Sequence, residues 1–168
     1  IPNYYNFMGI KSRIMIYRLL QSALAKRLFK GKAVLLFGAR QTGKSTLAEA
    51  VLSNVGQEWL TLNGDDADVR TALSDSTAGK LKAIIGNKKI VLIDEAQRVN
   101  NIGLTLKLIT DQIKDVQVIA TGSSSFELSS QVNEPLTGRK YEFMLYPLSF
   151  EEIVMHHGLL EEKRLIEH

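Results

Sequence analysis

Ala33-Val-Leu-Leu-Phe-Gly-Ala-Arg-Gln-Thr-Gly-Lys-Ser45 joins a five-residue apolar run to the pattern G-x-x-x-x-G-K-[ST]. The run has the length and composition of a buried strand, and Ser45-Thr-Leu-Ala-Glu-Ala-Val-Leu52 beyond it is rich in good helix formers. The order strand, glycine-rich loop, helix is the context in which this pattern binds the phosphates of a nucleoside triphosphate. A mere strand-to-helix turn is the alternative. Four fixed positions together with both flanks argue against it.

Each position has a physical task. Gly38 and Gly43 allow backbone conformations closed to other residues and a close approach of amide N–H groups to phosphate. The helix starting near Lys44 adds unpaired amides and the positive end of its dipole. The expected phosphate-binding set is Gly38, Ala39, Arg40, Gln41, Thr42, Gly43, Lys44, Ser45 and Thr46. Lys44 is expected to reach the β- and γ-phosphates, and the Ser45 hydroxyl to ligate Mg²⁺.

Further along, Lys88-Lys-Ile-Val-Leu-Ile-Asp-Glu95 reads as a central parallel strand ending in two carboxylates. Ligand groups gather at the carboxyl ends of parallel strands, where both the loop and this acidic pair fall. Asp94 is then placed to hold a Mg²⁺-bound water, and Glu95 to orient or deprotonate an attacking water, an arrangement that favours hydrolysis. The alternative is a pair of acids capping the next helix. Thr121-Gly-Ser123 ends another strand with small hydroxyls, of which Ser123 is a candidate to report the γ-phosphate, or else is ordinary turn chemistry. Arg139 is a candidate cation for transition-state charge, in cis or from a neighbouring subunit, and otherwise a surface arginine.

A chain of 168 residues, 45% hydrophobic and 23% charged, suits one soluble domain with a real core. Without cysteine it has neither a disulfide framework nor a thiolate metal site, and no apolar stretch is long enough to span a membrane. The expected location is the cytoplasm. The net charge of +3 conceals an asymmetry: residues 1 to 48 hold nine Lys and Arg with no acid, leaving twelve basic and eighteen acidic residues beyond. That cationic third reads either as a nucleic-acid or polyanion surface, or as a solvated helix face beside a loop that must itself be positive.

Working outward, a helix is expected over 14–30 with Tyr17, Leu20, Leu24 and Leu28 as its packed stripe, and strands over 33–37, 57–62, 88–95, 116–121 and 141–145. The turn Asn63-Gly-Asp-Asp66 suits a helix N-cap better than a metal cluster. Ile102, Leu106, Ile109 and Ile113 mark another helix, and Ser149-Phe-Glu-Glu152 has the spacing of a capping box. Strands alternating with helices call for an α/β fold, a doubly wound and mostly parallel sheet of five strands with helices on both faces. Residues 1–12 lack periodicity and read as an extension or cloning remnant.

Leu36–Ser45, Val91-Leu-Ile-Asp-Glu-Ala-Gln-Arg98, Thr121–Ser125, Thr137-Gly-Arg139 and Tyr146-Pro-Leu-Ser-Phe150 together resemble the prokaryotic AAA-type ATPases that carry a C-terminal domain of uncertain role. The resemblance covers about residues 15 to 155. It implies a three-layer P-loop NTPase core with strand order 5-1-4-3-2, ATP as nucleotide, Asp94 and Glu95 as the Walker B pair, a sensor near Ser123, and Arg139 where an arginine finger often sits. It also implies a helical lid and a further domain after residue 150, so 13–155 is read as the ATP-binding core and 156–168 as the start of a truncated C-terminal region. Weak binding, slow turnover and a monomeric state are expected of such a fragment, with oligomers a property of the full-length protein. The leading expectation is a Mg²⁺-dependent ATPase. Two others stand beside it: a nucleotide-dependent switch that binds DNA or a protein through the basic N-terminal region, and a small-molecule kinase, disfavoured because Glu95 is unneeded for transfer to a bound hydroxyl and residues 96–140 show no arginine-rich lid.

Overall fold

The computed structural model describes residues 16–123 and 134–157. The expectations for residues 1–12 and 158–168, for Arg13 and for Ser124 and Ser125 lie outside the described residues. Five strands, β1 (Ala33–Gly38), β2 (Trp59–Asn63), β3 (Ile90–Asp94), β4 (Gln117–Gly122) and β5 (Lys140–Leu145), form one sheet in the order β2-β3-β4-β1-β5. Every pairing is parallel. This is the order 5-1-4-3-2 read from the other edge, so the expected fold class holds.

The apolar runs explain the layers. All six residues of β1 and the first four of β3 are buried, and a strand apolar on both sides needs cover on both. Successive side chains of β1 serve opposite faces. Ala33, Leu35 and Phe37 join Val91, Ile93 and a helical layer made by α3 (Ala67–Leu73), α4 (Ala78–Ile85) and α5 (Ile102–Gln112). Val34 and Leu36 join Leu92, Ile119 and a layer made by α1 (Leu20–Ala25) and α2 (Lys44–Ser53). The stripe Ile102, Leu106, Ile109 and Ile113 is buried as its spacing implies. Asp66 accepts from the Asp68 N–H to cap α3. At the start of α6 (Phe150–His157) Ser149 and Glu152 exchange side-chain and backbone bonds, the reciprocal capping box.

The first helix departs from expectation. Instead of running over 14–30, the described part of this stretch, residues 16–30, is helical only from Leu20 to Ala25 and then turns. Gln117 at the start of β4 accepts from the Phe29 N–H and donates to the Lys32 carbonyl, and Phe29 takes a left-handed backbone with φ 56°. A distant side chain has overridden local periodicity. Leu24 and Leu28 are buried, but Tyr17 is 45% exposed and lies off the stripe.

The sheet also sorts charge. The turn before β1 carries Lys26, Arg27, Lys30 and Lys32, the turn before β2 Glu58, the turn before β3 Lys88 and Lys89, with Lys88 paired to Glu58, the turn before β4 Lys114 against Asp115, and the turn before β5 Arg139 and Glu134. All of these lie at the amino ends of the parallel strands. The turns at the carboxyl ends hold Arg40 and Arg98 against Asp65, Asp66 and Glu95. Among the described residues of the cationic N-terminal third, Lys26, Arg27, Lys30 and Lys32 thus sit at the pole opposite the phosphate loop, while Arg18, Arg40 and Lys44 lie beside it.

Leu92 lies in a central strand with no exposed surface. Leu92→Ala is expected to cost about 2–5 kcal/mol of unfolding free energy, read as a lowered urea midpoint. Lys80→Ala on the exposed side of α4 is expected to change it by less than about 0.5 kcal/mol.

Candidate functional site

The loop that leaves β1 turns sharply because it has no room to do otherwise. The Leu145 carbonyl of the neighbouring strand occupies the place a Cβ on Gly38 would need, so only glycine fits. Gly43 enters α2 in the left-handed region with φ 89°, again a glycine conformation. Between them Thr42 Oγ1 donates to the Ala39 carbonyl at 2.9 Å and closes the loop on itself.

Lys44 is 5% exposed and folds back over the loop, its Nζ donating to the carbonyls of Gly38 at 3.1 Å and Ala39 at 2.8 Å. The ammonium thus lies inside the loop's curve, held by neutral acceptors that an anion can replace. Ser45 Oγ donates to Asp94 Oδ2 at 2.7 Å, which brings the end of β3 against the first turn of α2 across 49 residues of sequence. The other oxygen of Asp94 accepts a short bond from Thr121 Oγ1 in β4. Three elements therefore converge on one carboxylate.

Glu95 takes a left-handed backbone, φ 48° and ψ 43°, a conformation that costs a non-glycine residue of order 1–3 kcal/mol. Its surroundings enforce it. The Glu95 N–H faces Thr121 Oγ1, and its carbonyl accepts from the Arg98 N–H at 3.0 Å to open the 3-10 turn Ala96–Arg98. Gly64, after β2, donates its N–H to the Asp94 carbonyl at 2.8 Å, and a Cβ there would strike the Glu95 carbonyl.

Gln97 completes the cluster. Its Nε2 donates to Glu95 Oε2 at 2.5 Å and to Ser123 Oγ at 2.9 Å. Facing two oxygen acceptors, the amide must present nitrogen to them, and that leaves Oε1 buried without a protein partner among the described residues. Glu95, Gln97 and Ser123 so form one chain of polar groups beside Asp94. Gln97 was not among the residues expected from sequence, although it stands two positions after Glu95 in the Asp-Glu-Ala-Gln-Arg run. Gly64 was expected only as part of a turn, since its role depends on a contact with β3 that no local pattern encodes.

Hard oxygen donors, one hydroxyl and one carboxylate 2.7 Å apart, fit a Mg²⁺ ion that takes its remaining ligands from water and phosphate. Among the described residues no cluster of three or more His, Cys, Asp or Glu is arranged for a metal, and in the Asn63–Asp66 turn Asp66 caps α3. Arg139 is not brought to this edge. Its carbonyl accepts from the Ala33 N–H at the amino end of β1, a strand length or about 17 Å from Gly38. Its guanidinium pairs with Asp111 at 2.8 Å. Within one chain Arg139 and the phosphate loop stand at opposite poles.

Comparison with known proteins bears on the fold and the family. The uncharacterized protein Rv2008c of Mycobacterium tuberculosis is 30% identical over 117 residues, 69% of this chain and 25% of the relative. The uncharacterized protein MJ1544 of Methanocaldococcus jannaschii is 26% identical over 141 residues, 82% of this chain and 32% of the relative. The chain thus spans a quarter to a third of the curated relatives it matches. Among solved structures, the Walker-type ATPase PABY2304 of Pyrococcus abyssi superposes with a TM-score of 0.61 at 18% identity, over 91% of this chain and 59% of that one, which shows a shared P-loop NTPase fold. The family described as the AAA domain matches residues 30–154, three quarters of the sequence, and this chain belongs to it.

Proposed function

We propose that the chain, with residues 13–155 as its core, binds ATP and hydrolyses it with Mg²⁺. The observation that carries this reading is the meeting of Ser45 with Asp94 at 2.7 Å, beside the chain Glu95–Gln97–Ser123. In this reading the amides of residues 38–46 surround the phosphates, and Lys44 exchanges its two carbonyl partners for β- and γ-phosphate oxygens. Ser45 and Asp94 would hold Mg²⁺, which neutralises charge on the β- and γ-phosphates when bound. Glu95 orients the attacking water and draws on its proton. Gln97 fixes the Glu95 carboxylate from one side and offers its free Oε1 as an acceptor on the other, while Ser123 monitors the γ-phosphate through the same amide. Arg139 can meet a phosphate only across a boundary between copies of the chain.

Lys44→Ala is expected to weaken binding of a fluorescent ATP analogue by tenfold or more, the loss of one charge-assisted contact being about 1.5–3 kcal/mol. Glu95→Gln should bind as the unaltered chain does and lose about 10²–10⁴ in phosphate release. Equal hydrolysis by Glu95→Gln and the unaltered chain would remove Glu95 from the assignment.

A second reading, a polyanion-binding role, is favoured by the cationic pole. The turns there enclose a cleft of about 640 Å³ whose lining includes Lys32, Lys89, Lys114 and Phe29. Arg18, expected with this surface, is not on it, being only 8% exposed and ion-paired to Glu152. If the pole docks a nucleic-acid backbone, affinity for duplex DNA should fall steeply between about 50 and 200 mM salt, and Lys30→Glu and Lys89→Glu should each weaken it. Binding indifferent to salt and to both reversals overturns this role.

A further inference from the structure

Arg18 is a charged residue with almost no contact with solvent, and each group it meets comes from a different part of the chain. Its Nε donates to Glu152 Oε1 at 3.1 Å, one terminal nitrogen to the Thr42 carbonyl at 2.9 Å, and the other to the Tyr146 carbonyl at 2.6 Å. The guanidinium is a rigid planar fork, so these acceptors are held in one fixed arrangement. Glu152 is equally committed. Oε1 also accepts from the Leu19 N–H at 2.9 Å, and Oε2 accepts from the Ser149 N–H at 2.9 Å. Burial by itself pushes the Glu152 pKa up, but the N–H groups of Ser149 and Leu19 and the Arg18 guanidinium together hold it below the usual glutamate range, so this carboxylate stays ionised near neutral pH.

The contact with Thr42 has a geometric consequence. The peptide between Thr42 and Gly43 is trans, so its carbonyl and its N–H point in opposite directions. By drawing the carbonyl towards itself, Arg18 fixes where the Gly43 N–H is aimed. A lock is needed at this position because glycine tolerates both orientations of such a peptide. We propose that Arg18 is a positioning residue that orients the Thr42–Gly43 peptide for phosphate binding and, through Tyr146 and Glu152, couples that orientation to the docking of α6. Nucleotide on the loop then steadies the turn at 146–149 and α6, and docking of α6 strengthens nucleotide binding by the same factor. This rests on the nucleotide-binding reading above.

The test combines binding of a fluorescent ATP analogue with Mg²⁺ and hydrogen exchange of the amides of residues 150–156, with and without nucleotide. In the unaltered chain, nucleotide should slow exchange in that segment. Arg18→Lys keeps a cation for Glu152 but cannot span the three acceptors. It should remain folded by far-UV circular dichroism, weaken nucleotide binding by about tenfold, the loss of a charge-assisted donor, and abolish the exchange response. Glu152→Gln keeps the shape of the side chain and leaves the Arg18–Thr42 bond available. It should bind nucleotide within about threefold of the unaltered chain while losing the response in 150–156, which separates positioning from a general loss of stability. Failure of the unaltered chain to bind nucleotide overturns the nucleotide reading and this proposal together. Binding by the unaltered chain with an undiminished affinity in Arg18→Lys, or an intact exchange response in both variants, overturns this proposal alone.

Discussion

A strand buried at every residue can exist only between two covering layers, and β1 is such a strand. It lies between β4 and β5, with α1 and α2 over one face and α3, α4 and α5 over the other. Because all pairings are parallel, the ends of β1, β3 and β4 come out on the same edge. Loop amides, Lys44, Asp94, Glu95 and Ser123 meet there for that reason. The chemistry is a by-product of direction: antiparallel strands of the same composition would have scattered these groups over both edges.

The sequence was legible where structure is local. The apolar runs located the buried strands, the glycine spacing located the phosphate loop, and Ser149 and Glu152 located the start of α6, since each signal lies within a few residues of its effect. Strand order came from family resemblance, because periodicity says which residues are buried but not which strand lies next to which. The first helix was overestimated because Gln117, about ninety positions away, captures the Phe29 N–H and bends the chain. Arg18 and Glu152 were invisible as a pair across 134 residues, and an arginine in a basic stretch reads as surface until a partner is seen. Arg139 was legible as an arginine before a strand, but only the parallel register shows which end of the sheet it occupies.

The site combines a rigid half with an adaptable half. Around Asp94 and Glu95 the backbone is held by Gly64, Thr121 and Arg98, and a left-handed glutamate is tolerated because each of these contacts would be lost in another conformation. Lys44, by contrast, is satisfied by partners that are easily exchanged, two neutral carbonyls. The loop's cation is thus held only by neutral acceptors, while the groups beside it are fixed in advance.

Along the strands, the described turns gather more basic side chains at the end away from the phosphate loop than at the end beside it. Beyond about one Debye length salt screens such exposed charges, so only an anion already near the surface feels this arrangement. Long-range attraction therefore contributes little to placing an anion at the loop. At the loop the donors act at short range, through backbone amides and the Lys44 ammonium, so fit rather than field decides what is held there.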